Sequence, residues 1–184
     1  MNRVPLCKPD VGAEELAAIE RVFAAGELSH GPEVRGLEDD FAEFVGTRRA
    51  VVLNSWTSAA FLACSFLRET CGPGEVLVPS YTFVASANVI ENAGLKPRFV
   101  DVEWQTHNVT VETLRDSITS ETVALMPVHF AGTPCDMPAI MDLASERGLR
   151  VLEDSAECLG AQVGGFQAGA FDIGVFSLYA TKNM

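Results

Sequence analysis

The sequence predicts an α/β fold built on a mostly parallel sheet flanked by helices. Three observations carry that reading. Short apolar runs recur at 50–53, 75–78, 97–100, 123–128, 149–152 and 173–177, as strands buried on both faces require. The segments between most of them are long enough for crossover helices, which a parallel sheet needs. Turn signals separate the two kinds of element: Gly-Pro-Gly-Glu at 72–75, Gly94 and Gly148 each stand where a helix gives way to a strand.

Taken in order, the chain opens with helices. The stretch 12–25 carries Leu16, Ile19 and Phe23 at helical spacing and closes at Gly26. A second helix is marked by Val34, Leu37, Phe41 and Phe44 and closes at Gly46. The first strand, at 50–53, runs into Asn54-Ser55-Trp56-Thr57-Ser58, a helix-opening segment, and Pro79-Ser80-Tyr81-Thr82-Phe83 ends the next strand. No repeat, low-complexity tract or flexible linker interrupts the chain. One domain over 1–184 is expected, with an N-terminal arm and helices in 1–46 and an α/β core in 47–184.

Composition narrows the function classes. The chain has 184 residues, 48% of them hydrophobic and 21% charged, enough to bury one sizeable core. Its formal charge of −12 argues against nucleic-acid or acidic-membrane partners, which require clustered Lys and Arg. An anionic substrate would have to rely on local basic residues. Lys8, Arg48 and Arg49 are the candidates, with solvated surface charge as the plainer reading. Cys7, Cys64, Cys71, Cys135 and Cys158 are odd in number and lack zinc-ligand or Cys-x-x-Cys spacing, which fits a reducing compartment. No basic-then-apolar leader and no stretch near about 20 apolar residues is present. A cytoplasmic protein is expected.

The chemistry sits toward the C-terminus. Asp154 follows an apolar run, Ser177 stands 23 residues later, and Lys182 stands 28 later within Phe-Ser-Leu-Tyr-Ala-Thr-Lys-Asn. Pyridoxal phosphate needs an amine for its aldehyde, a carboxylate for its ring nitrogen and donors for its phosphate. Lys182 and Asp154 meet the first two needs. A lysine in an apolar setting is disfavoured as an ammonium, and such a setting is expected for Lys182. At the carboxyl ends of parallel strands, Asn54 to Ser58 presents backbone N–H groups and the Thr57 hydroxyl to a phosphate, or simply caps its helix. Phe83 is placed to lie against a ring, or serves as a core side chain. His129, ending another strand in Pro-Val-His-Phe-Ala-Gly, either orients a ligand or is structural.

The segments 151–161, 169–183, 54–59 and 78–85, with the Pro-Leu-Cys-Lys-Pro-Asp and Leu-Ser-His-Gly-Pro stretches, resemble the sugar aminotransferase family called DegT. The resemblance covers nearly the whole chain. It implies the large domain of a fold-type I pyridoxal phosphate enzyme, with the C-terminal small domain absent from this sequence. It implies pyridoxal 5'-phosphate as cofactor, Lys182 as the catalytic amine, and Trp56, Thr57, Phe83, Asp154, Ala156, Glu157 and Ser177 as cofactor contacts, with no metal. Trp56 departs from the small residue usual there, and its indole would narrow the substrate space if it entered the pocket. Ala156 packs on the second ring face. Glu157 replaces the usual Gln or His near the phenolic oxygen, and two carboxylates near one phenolate would repel.

The reaction implied is transfer of an amino group from an amino-acid donor, glutamate, to a nucleotide-linked keto sugar, in a homodimer with shared active sites. An inactive fragment, elimination chemistry and a regulatory role are the alternatives. The presence of Lys182 favours transfer over dehydration, since relatives that dehydrate carry histidine there.

Overall fold

A computed structural model describes residues 8–182 of the chain. Helices α1 (Ala13–Ala25) and α2 (Pro32–Val45) open it. Each ends at a left-handed glycine, Gly26 at φ 71° and Gly46 at φ 82°, whose N–H returns to last-turn carbonyls. The helical spacing is realised, yet α1 buries none of its residues: Leu16, Ile19 and Phe23 all face solvent.

Beyond them helices and strands alternate. The order is α3 (Trp56–Cys71), β1 (Glu75–Pro79), α4 (Val84–Asn92), β2 (Lys96–Val100), α5 (Val111–Ser117), β3 (Thr122–Leu125), α6 (Met137–Arg147) and β4 (Arg150–Asp154). A small antiparallel hairpin of β5 (Gln162–Val163) and β6 (Phe166–Gln167) precedes β7 (Ile173–Val175). Five strands pair in parallel in the order β2-β1-β3-β4-β7.

Both faces of this sheet are covered, which explains the continuous apolar runs. Side chains alternate along β1: Val76 and Val78 join Ala124, Leu152 and Val175 beneath Cys64 and Leu67 of α3 and Ile90 of α4. Leu77 points the opposite way, with Leu125 and Val151, toward Leu114 of α5 and Ile140 and Leu143 of α6. The strand order reverses at β1, with β2 on one side and β3 on the other. In such sheets ligands lie outside the carboxyl ends of the strands near this reversal.

Three boundaries differ from expectation. The run 50–53 is not a strand. Val51 is 69% exposed, and the Val52 N–H donates to Glu38 Oε1 at 2.9 Å, so a carboxylate from α2 takes the place of a ladder partner. Strand β3 stops at Leu125, short of the expected Val128, because Pro127 has no N–H to continue the ladder; Val128 makes one isolated bridge to Asp154. Strand β7 stops at Val175, leaving Ser177 in irregular chain. Its middle residue, Gly174, meets the backbone of Gly169 so closely that a Cβ would collide with the Gly169 carbonyl.

Candidate active site

The segments after β1, β3, β4 and β7 bring Phe83, His129, Asp154, Ala156, Glu157, Ser177 and Lys182 to the carboxyl edge of the sheet. The first turn of α3 lies beside β7, because the Trp56 indole N–H donates to the Val175 carbonyl at 3.2 Å.

Asp154 is the last residue of β4 and only 5% exposed. The Ser86 hydroxyl donates to Oδ2 at 2.9 Å and the Ala156 N–H to Oδ1 at 3.2 Å. Ser86 in turn shares a 2.9 Å hydrogen bond with Thr82 Oγ1. Burial pushes the Asp154 carboxyl up to about 6 from 3.8, against the lowering effects of the Ser86 hydroxyl, the Ala156 N–H and the Lys182 charge. This is a buried acid on the same side of the molecule as Lys182, with no ion-pair partner among the described residues.

Lys182 does not sit in the expected apolar setting. Its Nζ donates to Glu157 Oε1 at 2.9 Å, and the two side chains are 26% and 41% exposed respectively. The lysine hydrogen bond holds the Glu157 carboxyl below its ordinary range, and the Ala131 N–H, which donates to Oε2 at 3.1 Å, adds to the effect. The reason for the difference is local: a Glu stands where an uncharged side chain was the usual residue, and an ammonium within reach captures it.

At α3, Ser55 caps the helix by accepting the Ser58 N–H at 3.1 Å. The preceding N–H groups, of Trp56 and Thr57, have no hydrogen bond among the described residues, and Thr57 is exposed. Open donors of this kind at a helix N-terminus suit an anion. Ser177 is partly exposed, and its Oγ accepts the Tyr179 N–H at a long 3.4 Å. The Trp56 indole does not enter a pocket. It packs on the core beneath α3, so the residue ties α3 to β7 instead of narrowing the site.

Phe83 caps α4 and is 77% exposed as a residue, which removes the core alternative for it. His129 is fully buried and both ring nitrogens are engaged. The Cys135 N–H donates to Nδ1 at 3.1 Å, so Nε2 carries the proton and donates to Glu153 Oε2 at 3.1 Å. Glu153 also accepts the N–H groups of Gly169 at 2.8 Å and Phe171 at 2.9 Å. His129 therefore braces the strand ends from behind and has no free nitrogen for a ligand. The basic candidates Lys8, Arg48 and Arg49 are exposed. Cys64, Cys135 and Cys158 are buried free thiols, pushed up to about 12 by desolvation, so none is a thiolate near neutral pH; Cys7 lies outside the described residues.

Sequence reasoning missed Ser86, Thr82 and Glu153. A trace of Ser86 was present: it falls three residues before Val89 and four before Ile90, on the buried stripe of α4, where an unpaired hydroxyl would be costly. Glu153 gave a weaker sign, as a charged residue inside a strand buried on both faces.

The donor set fits pyridoxal phosphate. The buried acid wants a cation, which a protonated ring nitrogen supplies; the open N–H groups of α3 and the Ser177 hydroxyl suit a phosphate; the Lys182 amine and the exposed Phe83 ring complete the requirements.

Comparison with known proteins places this site in context. The model of the DegT/DnrJ/EryC1/StrS aminotransferase family matches residues 9–184. The spore coat polysaccharide biosynthesis protein SpsC of Bacillus subtilis is 40% identical over 185 residues, covering 98% of this chain and 46% of SpsC. The chain thus spans about half the length of the curated relatives it matches. Among solved structures, the PLP form of the sugar aminotransferase Spr1654 from Streptococcus pneumoniae, itself described as putative, superposes with a TM-score of 0.91 at 29% identity, covering 100% of this chain and 50% of that one. A mutant of GDP-4-keto-6-deoxymannose-3-dehydratase (ColD) with bound GDP-perosamine superposes at 0.92 and 27% identity, covering 98% and 48%.

Proposed function

Since the chain belongs to the DegT/DnrJ/EryC1/StrS aminotransferase family, we propose that it carries the cofactor site of a pyridoxal phosphate enzyme that transfers an amino group from an amino acid, glutamate in this reading, to a nucleotide-linked keto sugar. The observation that carries this is the buried Asp154, without an ion-pair partner among the described residues, on one edge with Lys182. The PLP form of Spr1654 and the GDP-perosamine bound to ColD support the cofactor and the substrate class.

The cofactor, when bound, supplies an aldehyde that bonds amines and a protonated ring that draws electrons from the reacting carbon. Asp154 would hold the ring-nitrogen proton, with Ser86 and the Ala156 N–H fixing the carboxylate plane. Lys182 would provide the amine and would move the proton at the substrate carbon. The N–H groups of Trp56 and Thr57, with the Thr57 and Ser177 hydroxyls, would bind the phosphate. Phe83 would cover one ring face, and Ala156 would leave room on the other. The whole protein in this reading is a cytoplasmic homodimer whose subunits share their sites, and the exposed apolar side chains of α1 give a partner or a further domain something to cover.

The test is Lys182→Ala in the whole protein, mixed with glutamate and a nucleotide keto sugar. Wild type should show the visible absorbance of a bound cofactor and form 2-oxoglutarate, and the variant should do neither. Absorbance and turnover that survive the substitution refute the reading.

A further inference from the structure

The ion pair between Glu157 and Lys182 has no part in the function proposed above. Glu157 is fixed at both oxygens: Oε1 receives the lysine Nζ at 2.9 Å and Oε2 the Ala131 N–H at 3.1 Å. The donor is itself unusual. Ala131 has φ 50°, a left-handed conformation that costs a non-glycine residue on the order of 1 kcal/mol, and Gly132 beside it has φ 83°. The turn after β3 is thus bent in a way that aims an N–H at this carboxylate. The other nearby acid is already engaged, since Ser86 and Ala156 occupy the two oxygens of Asp154.

We propose that Glu157 is a positioning residue that stays ionised and holds the Lys182 ammonium in place at the carboxyl edge of the sheet. The proposal rests on the reading of Lys182 as the aldehyde-bonding amine. With its carboxylate turned to the lysine, Glu157 does not crowd a phenolic oxygen, and the like-charge repulsion expected from the sequence does not arise.

Two further observations agree. Glu157 is 41% exposed, so its charge is hydrated at little cost, whereas Asp154 is sealed at 5%. The two acids are driven in opposite directions, Asp154 up by burial and Glu157 down by the Lys182 hydrogen bond, so Glu157 is the one that keeps its negative charge for the ammonium. The titratable groups that interact with Glu157 are Lys182 from the C-terminal segment and the buried Cys158 from the β4 end.

The experiment is Glu157→Gln in the whole protein. Gln has the same shape and keeps an oxygen for the Ala131 N–H, while losing the negative charge. In the cofactor-free protein, labelling of Lys182 by an amine-directed acylating reagent, read by mass spectrometry of its peptide, should accelerate about ten-fold near neutral pH. In the holoenzyme, the pH midpoint of the visible absorbance change should fall by about one unit, and kcat should drop about ten-fold or more with donor KM nearly constant. Labelling that stays within about two-fold of wild type at every pH overturns the proposal, because removing an adjacent charge must alter an amine that depends on it. Labelling needs no cofactor, so it decides the role of the ion pair even where a missing absorbance shows the functional reading to be wrong.

Discussion

Replacing Asp154 by Asn removes a charge that the apoprotein holds at a cost, so the substitution should stabilise the cofactor-free protein while abolishing tight cofactor binding. The carboxyl is raised to about 6 in the fold from 3.8, with desolvation as the leading cause. A raised carboxyl binds its proton more tightly folded than unfolded, so its contribution to stability falls as pH rises from about 4 to about 6 and stays lost above that. Two pK units correspond to about 3 kcal/mol, of which about 2 kcal/mol develops between about pH 4.5 and about pH 7.5. Asn does not titrate and so escapes this loss. It also fits the site: its oxygen accepts one of the two donors, and the Ser86 hydroxyl, shared with Thr82, can turn to accept its NH2. Urea unfolding of both cofactor-free proteins should show the stability difference, variant minus wild type, growing by about 2 kcal/mol from the lower pH to the higher. A difference independent of pH would mean that Asp154 is not strained by burial, and the argument for a missing cation would fail with it.

Other substitutions probe the same edge and its scaffold. Ser86→Ala deletes the hydroxyl that lowers the Asp154 carboxyl, so that carboxyl moves further up from about 6 and less of it is ionised near neutrality. Cofactor titration should show affinity about ten-fold weaker, and an unchanged value would show that Ser86 does not tune the acid. Gly174→Ala sets a Cβ against the Gly169 carbonyl between β7 and the chain that feeds Glu153 its N–H donors. It should destabilise by more than about 3 kcal/mol or prevent folding, and a wild-type unfolding curve would contradict that packing.

Most of the architecture was readable in the chain, because two-sided burial writes itself as continuous apolar strands and glycine marks the helix ends. The run at 50–53 shows where this fails. Apolar content there reads as a strand, but strand status depends on a partner, and Glu38 from α2 takes the Val52 N–H instead. Trp56 shows the same limit for a side chain: its position next to an open helix N-terminus was legible, whereas the direction of its indole depended on the Val175 carbonyl, 119 residues away in sequence.

By itself the sequence determined the sheet-and-helix plan, the presence of a lysine and an acid at spacings suited to one cofactor, and the unusual Glu157. Only the tertiary structure decided what those groups do to one another. It buried Asp154 without an ion pair among the described residues, set Ser86 and Thr82 behind it, sealed His129 against Glu153, and turned Glu157 onto Lys182. The physical reason is that periodicity is a local property, carried by neighbours along the chain. Desolvation and charge pairing depend on distance in space, which residues remote in sequence establish only after the strands have taken their order.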